Sequence, residues 1–172
     1  MAKTSNLREF QESILAKLKD AANHTGFESF TRLGVVVGTK RFLINLNEVK
    51  EVLPVPPVLP VPLTKPWFLG TANVRGNLYN VSDLAQFLNM PPTPRSVHNR
   101  VLLLSTETTS QVALVVDSLV GLRSIQEMQA APDGGDLNQL FSSSRLADID
   151  GNEWLALEAE ALVQDKNFIQ PI

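Results

Sequence analysis

The chain is 172 residues long, 44% hydrophobic and 19% charged, with a net charge of −3 and no cysteine. These figures fit one ordinary globular domain or two small halves sharing a core, and they exclude disulfides, thiolate metal sites and a cysteine nucleophile. They also offer neither the clustered positive charge that nucleic-acid phosphates demand nor a polybasic membrane anchor, and no apolar run approaches the roughly 18 residues that span a bilayer.

The first residues are charged rather than apolar, so no signal peptide is expected and the protein reads as cytoplasmic. Residues 1–26 read as an N-terminal helical extension. Leu7, Phe10, Ile14, Leu18 and Ala21 recur at spacings of three or four, with charged residues between them. Asn6 and Glu9 approach a capping-box arrangement. The stripe reads either as packing on its own domain or as a docking face for a partner.

From residue 27 the texture turns to β. Phe30 to Val37 and Arg41 to Leu46 predict two strands around the turn Gly38-Thr39-Lys40, and Val49 to Leu53 continues in extended style. Six prolines between Pro54 and Pro66 forbid a helix. They leave a ligand for a polyproline-binding domain or, given the interleaved Val55, Val58, Leu59, Val61 and Leu63, an edge segment wrapped on the core. Lys65 to Asn77 reads as a loop into a turn and Leu78 to Val81 as a short strand. Ser82 or Asp83 then caps a brief helix bearing Leu84, Phe87 and Leu88. Val101 to Ser105 and Val112 to Val116 are strongly apolar strands flanking a polar turn, and Leu119 to Ile125 is another strand. Asp133 opens a loop that reaches Ser144. Arg145 to Asp148 and Glu153 to Leu157 predict a hairpin around Asp150-Gly151, and Glu158 to Val163 a short helix. Many short strands with tight turns suggest small β-barrels rather than βαβ units.

Reactive groups are scarce. His24 and His98 are the only histidines, each in a loop-like context without the companions a metal site needs. No nucleophile elbow or phosphate-binding glycine loop is present. Asp83 and Asp117 each follow an apolar strand, where catalytic acids often sit, yet caps and turns explain both. No enzyme activity, cofactor or metal is expected.

The stretch from Lys65 to Leu84 carries Trp67, Phe68, Gly70, Asn73, Val74, Arg75, Gly76, Val81, Asp83 and Leu84 in fixed order. That wording resembles the signature of the CheW-like domain family, and the likeness extends over about residues 30–165 through Arg41 to Val52 and Val112 to Leu122. Within the family it most resembles members that serve the type IV pilus (twitching motility) chemosensory system.

The resemblance implies a mainly β fold at residues 27–168, two packed five-stranded SH3-like barrels with short connecting helices. It implies a non-catalytic adaptor that joins the cytoplasmic tip of a methyl-accepting chemotaxis receptor to the regulatory domain of a CheA-type histidine kinase, recruited to membrane receptor arrays. It places the receptor groove at Val49, Glu51, Arg75, Leu103 and Leu119, with Arg75 paired to Glu51. Kinase contacts are expected among Leu53, Val55, Val58, Leu137, Leu140 and Phe141, which read equally well as core. Tyr79-Asn80 departs from the usual apolar pair, so one face there is expected to be exposed or partner-bound. Three other readings stay open: a flagellar-type coupling protein, a small hydrolase or transferase using Asp83 or Asp117, and an SH3-like peptide reader.

Overall fold

Turn residues cut the chain into strands too short to bury a face alone, so they assemble into two sheets. The computed structural model describes residues 30–105, 111–132 and 142–172; the expected N-terminal helix lies outside them. The strands are β1 (Thr31–Val37), β2 (Lys40–Asn45), β3 (Val49–Pro54), β4 (Phe68–Val74), β5 (Asn77–Asp83), β6 (Arg100–Leu104), β7 (Val112–Val116), β8 (Ser118–Ser124), β9 (Gln129–Ala130), β10 (Ser142–Ala147) and β11 (Glu153–Leu157). Short helices follow as α1 (Leu84–Phe87), α2 (Ala159–Gln164) and α3 (Lys166–Ile169). One sheet runs β8-β1-β2-β11-β10-β9 and the other β3-β6-β7-β5-β4. The fold is mainly β, as expected, but one sheet has six strands rather than five because the two-residue β9 pairs with Leu146 and Ala147.

The main core lies between the sheets. Leu33, Val35, Phe42 and Ile44 of the first sheet meet Leu102, Leu104, Leu114 and Val116 of the second. A second cluster takes Leu53, Ala72, Tyr79, Val81, Val101, Leu103, Ala113 and Val115, so every strand of the five-stranded sheet contributes to it. Alternate residues of β6 and β7 therefore enter different cores, which is why both strands read as unbroken apolar runs.

One segment corrects the sequence reading. Lys65 to Asn77 was expected as loop and turn, yet Phe68–Val74 is strand β4. Its Gly, Thr, Ala and Asn give little intrinsic strand signal; pairing with β5 on one side and a bridge from Leu59 to Thr71 on the other makes it a strand. The same bridge shows the proline-rich run wrapped on the sheet, with Leu59 N–H and C=O both paired to Thr71 at 2.8 and 2.9 Å.

The C-terminal elements close over the start of β4. Phe168 of α3 stacks on Trp67 at 5.4 Å between centroids, and Phe87 meets both rings edge-on at 5.0 and 5.1 Å. The Lys65 amide donates to the Pro171 carbonyl at 2.6 Å.

The β10–β11 hairpin forms where Asp150-Gly151 predicted it, with Gly151 at φ 82°. Its organiser is Asp148, whose carboxylate accepts from Asp150 N (3.0 Å), Asn152 N (2.9 Å), Asn152 Nδ2 (3.2 Å) and Trp154 Nε1 (2.9 Å). These donors, the indole first, hold the Asp148 pKa down from 3.8 to about 2. A depressed folded-state pKa means the stabilisation is complete above the unfolded value and vanishes as pH falls through the folded one. Denaturant unfolding across a pH series should therefore show wild type losing stability between about pH 4 and pH 2. Asp148→Asn should be less stable at neutral pH and flatter across that window; parallel curves would remove Asp148 as the cause.

Candidate functional site

Strands β4 and β5 join through a two-residue turn, with Val74 opposite Asn77 and Arg75-Gly76 between them. Both turn residues have positive φ, 50° for Arg75 and 86° for Gly76. That geometry matches the right-handed twist of a hairpin, and glycine accepts it freely while arginine does not. Asn73 Oδ1 accepts from Gly76 N at 2.9 Å and steadies the turn.

From this strained position the Arg75 guanidinium forks onto Glu51, with Nη1 at 2.8 Å from Oε2 and Nη2 at 2.5 Å from Oε1. Arg75 sits on the hairpin at one edge of the sheet, and Glu51 on β3 at the other edge. In a flat sheet four strand spacings of about 4.8 Å would hold them roughly 19 Å apart. The sheet therefore curls until its edges approach, and the ion pair clasps the seam. The Leu59–Thr71 bridge holds the same seam further along, where Gly70 (φ 138°) lets the Leu59–Pro60 backbone lie directly against β4.

A β-bulge aims Glu51. The register of β3 on β6 shifts between Val49 and Glu51, so Val49 pairs with Leu104 and Glu51 with Leu103. Two residues that strict alternation would put on one face thus point to opposite faces. Val49 enters the main core, and Glu51 lies opposite Leu103, whose side chain belongs to the second cluster. Burial pushes the Glu51 carboxyl above the ordinary range, with neighbouring Lys50 opposing. The side chain of Glu51 is 12% exposed and that of Arg75 54%, so the pair has one foot in the fold and one in solvent.

The expected groove residues therefore separate. Glu51 and Arg75 are brought together. Leu119 is on edge strand β8 and 40% exposed. Val49 and Leu103 are core side chains without surface, which corrects their placement in a groove. Leu53 is likewise buried beneath the curled sheet. Val55 is exposed and Val58 packs partly on the second core; Leu137, Leu140 and Phe141 lie outside the described residues. Asn80 is exposed, as its place in an apolar strand suggested. The sequence reading missed Leu78 and Leu59, 57% and 72% exposed, which flank the hairpin through Asn73 and Thr71. Nothing in an apolar residue's identity separates an outward strand position from an inward one.

The remaining signature residues hold the hairpin. Trp67 packs in the aromatic cluster and Leu84 in the core. Asp83 is buried and caps α1 through Ala85 N at 3.2 Å. It also binds Thr93 through its amide (2.9 Å) and hydroxyl (2.6 Å). Asp117 Oδ2 accepts from Gly38 N at 2.5 Å. Both acids thus engage structural donors. Among the described residues no three His, Cys, Asp or Glu side chains come close enough to hold a metal ion.

The model of the CheW-like domain matches residues 32–167. The chain belongs to the CheW-like domain family. Protein PilI of Pseudomonas aeruginosa is 32% identical over 102 residues, 59% of this chain and 57% of that protein, so the match spans little more than half of PilI. A probable chemotaxis protein CheW of Rhizobium etli is 27% identical over 132 residues, 75% of this chain and 84% of its own length. The crystal structure of scaffolding protein TtCheW from Thermoanaerobacter tengcongensis superposes with a TM-score of 0.69 at 15% identity, covering 83% of this chain and 97% of that one. In this CheW-like domain the clasp Arg75–Glu51 and the turn Asn73–Gly76 fall inside the matched range.

Proposed function

We propose that this CheW-like domain is a non-catalytic adaptor that couples a methyl-accepting chemoreceptor to a CheA-type histidine kinase, in a system controlling type IV pilus motility. The observation that carries the reading is the clasped hairpin. A partly exposed arginine, held in a costly backbone conformation and forked onto a nearly buried carboxylate, is an expensive arrangement for stability alone. A surface that must present one geometry to a partner accounts for it. Leu78 and Leu59 beside it, with Leu119 on β8, offer the apolar contact that a helical receptor tip needs. Kinase contact is assigned to Val55 and Val58 with Leu137, Leu140 and Phe141. The engagement of Asp83 and Asp117 by structural donors supports an adaptor over a hydrolase. Among the described residues no helix is long and apolar enough to cross a membrane, so recruitment to an array would rest on the receptor.

The pilus assignment rests on the PilI relative. A flagellar-type role has support from the CheW relatives, which align over more of this chain. Separate titrations decide the matter. The purified chain should bind the cytoplasmic fragment of a methyl-accepting pilus receptor and the regulatory region of its CheA-type kinase. Binding to flagellar counterparts alone would move the protein to the swimming system. Binding to neither set would end the adaptor reading.

A further inference from the structure

The chain enters the described fold at Phe30, immediately before β1. Arg32 pairs with Asn45, the short turn Leu46–Glu48 follows, and Glu48 Oε2 accepts from Glu160 N in the first turn of α2 at 2.8 Å. The segment preceding Phe30 is therefore tethered beside α2.

Helices α2 and α3 cap the main core. Ala159, Leu162 and Val163 are buried in it, and Phe168 joins Trp67 and Phe87. The outward side differs. Ala161 and Phe87 are only half-buried, and the short side chain of Ala161 leaves room for a second helix to approach. Glu158, Glu160 and Asp165 border this side, and no Lys or Arg occurs between Arg145 and Lys166. A helix of six residues has little stability of its own and gains from cover on a second side.

The tethered segment has the complementary pattern. Its apolar positions Leu7, Phe10, Ile14, Leu18 and Ala21 form one stripe, which Leu15 widens. At about 100° per residue, Lys17 borders the stripe on one side and Arg8 and Lys19 on the other. Glu9, Glu12 and Asp20 fall on the opposite side. An apolar stripe with basic borders thus stands next to an apolar face with acidic borders.

We propose that residues 7–21 form a helix that docks within the same chain on α2 and Phe87. The stripe covers Ala161 and Phe87, and the basic borders face Glu158, Glu160 and Asp165. The link 22–29 spans up to about 26 Å, against roughly 9 Å for α2, so the tether allows it. Tethering also favours this occupant over a second copy, because it gives an effective concentration on the order of millimolar. The docked helix backs the Trp67–Phe87–Phe168 cluster at the start of β4, commits its stripe to its own domain and leaves Glu9, Glu12 and Asp20 towards solvent.

The chain has no cysteine, so one introduced thiol carries one label. Glu12→Cys, away from the stripe, is coupled to a nitroxide in the isotope-labelled full chain. Amide signals of Phe87, Ala161 and Gln164 should lose most of their intensity, while Ile149 at the tip of the β10–β11 hairpin keeps its own. A second sample mixes isotope-labelled wild type with the unlabelled nitroxide chain and should show no loss. Ile14→Asp in the stripe should restore the signals, as should Ala161→Arg on the receiving face. If Ala161→Arg does not fold, Ile14→Asp carries the test from outside the β domain. Loss in the mixed sample would make a second copy the occupant and overturn the proposal. So would loss confined to other surfaces, loss that survives Ile14→Asp, or no loss.

Discussion

Gly70→Ala will lower stability by about 3 kcal/mol or more, and a thermal melt should show it as a fall of roughly 6–12 °C. Two costs combine. At φ 138° the residue occupies a region that side chains almost never enter. A Cβ there would also come to 2.1 Å from the Leu59 carbonyl oxygen, 2.7 Å from its carbon and 2.9 Å from Pro60 Cα. All three are backbone atoms, and moving them breaks the Leu59–Thr71 pairing that holds the proline-rich segment on β4. Gly76→Ala is the matched control. Gly76 also has positive φ, at 86°, but a Cβ there would meet nothing within 4 Å. Its cost should be the conformational term alone, about 1–2 kcal/mol. Equal losses for the two variants would show that close packing at the seam contributes nothing.

Arg75→Glu should leave the chain folded yet weaken receptor binding by about thirtyfold or more. The arginine is half exposed, so its loss opens no cavity; what remains is the nearly buried Glu51 carboxylate facing a second one. Stability should drop by roughly 1–3 kcal/mol, mainly from leaving Glu51 unpaired. Circular dichroism and unfolding curves verify the fold, and titration with the receptor fragment reads the binding. The reversed pair Glu51→Arg with Arg75→Glu separates two roles. If the clasp acts by setting the hairpin, the double variant should recover stability and most of the binding. Recovery of stability alone would mean that the guanidinium itself touches the receptor, and unchanged binding in the single variant would remove Arg75 from the site.

Local chemistry made much of the architecture legible. Gly38 and Asp150-Gly151 marked hairpins correctly, because those turns need residues that tolerate their backbone angles. Asp83 was readable as a helix cap and the apolar runs at 101–105 and 112–116 as strands. The order of Trp67, Gly70, Asn73, Arg75, Gly76 and Asp83 sufficed for the family, since each answers a local demand of packing, turn or cap.

What stayed hidden depended on pairing between distant segments. The β4 strand has weak propensity and exists because β5 and Leu59 flank it. Val49 and Leu103 were expected in a groove and lie inside, and Leu53, which read equally as a kinase contact or as core, is core, since an apolar residue carries no mark of which face it serves. The bulge at β3 reverses the direction of Glu51 relative to Val49, and alternation read along the chain cannot reveal an inserted residue without the partner strand. The sequence by itself determined the hairpin turns at Gly38 and Asp150-Gly151, the strongly apolar strands and which family the hairpin belongs to, because those are short-range properties of backbone and side chain. Only the tertiary structure decided that the sheet curls far enough for Arg75 to reach Glu51 and which apolar residues face water, because each follows from register and closure across the whole sheet.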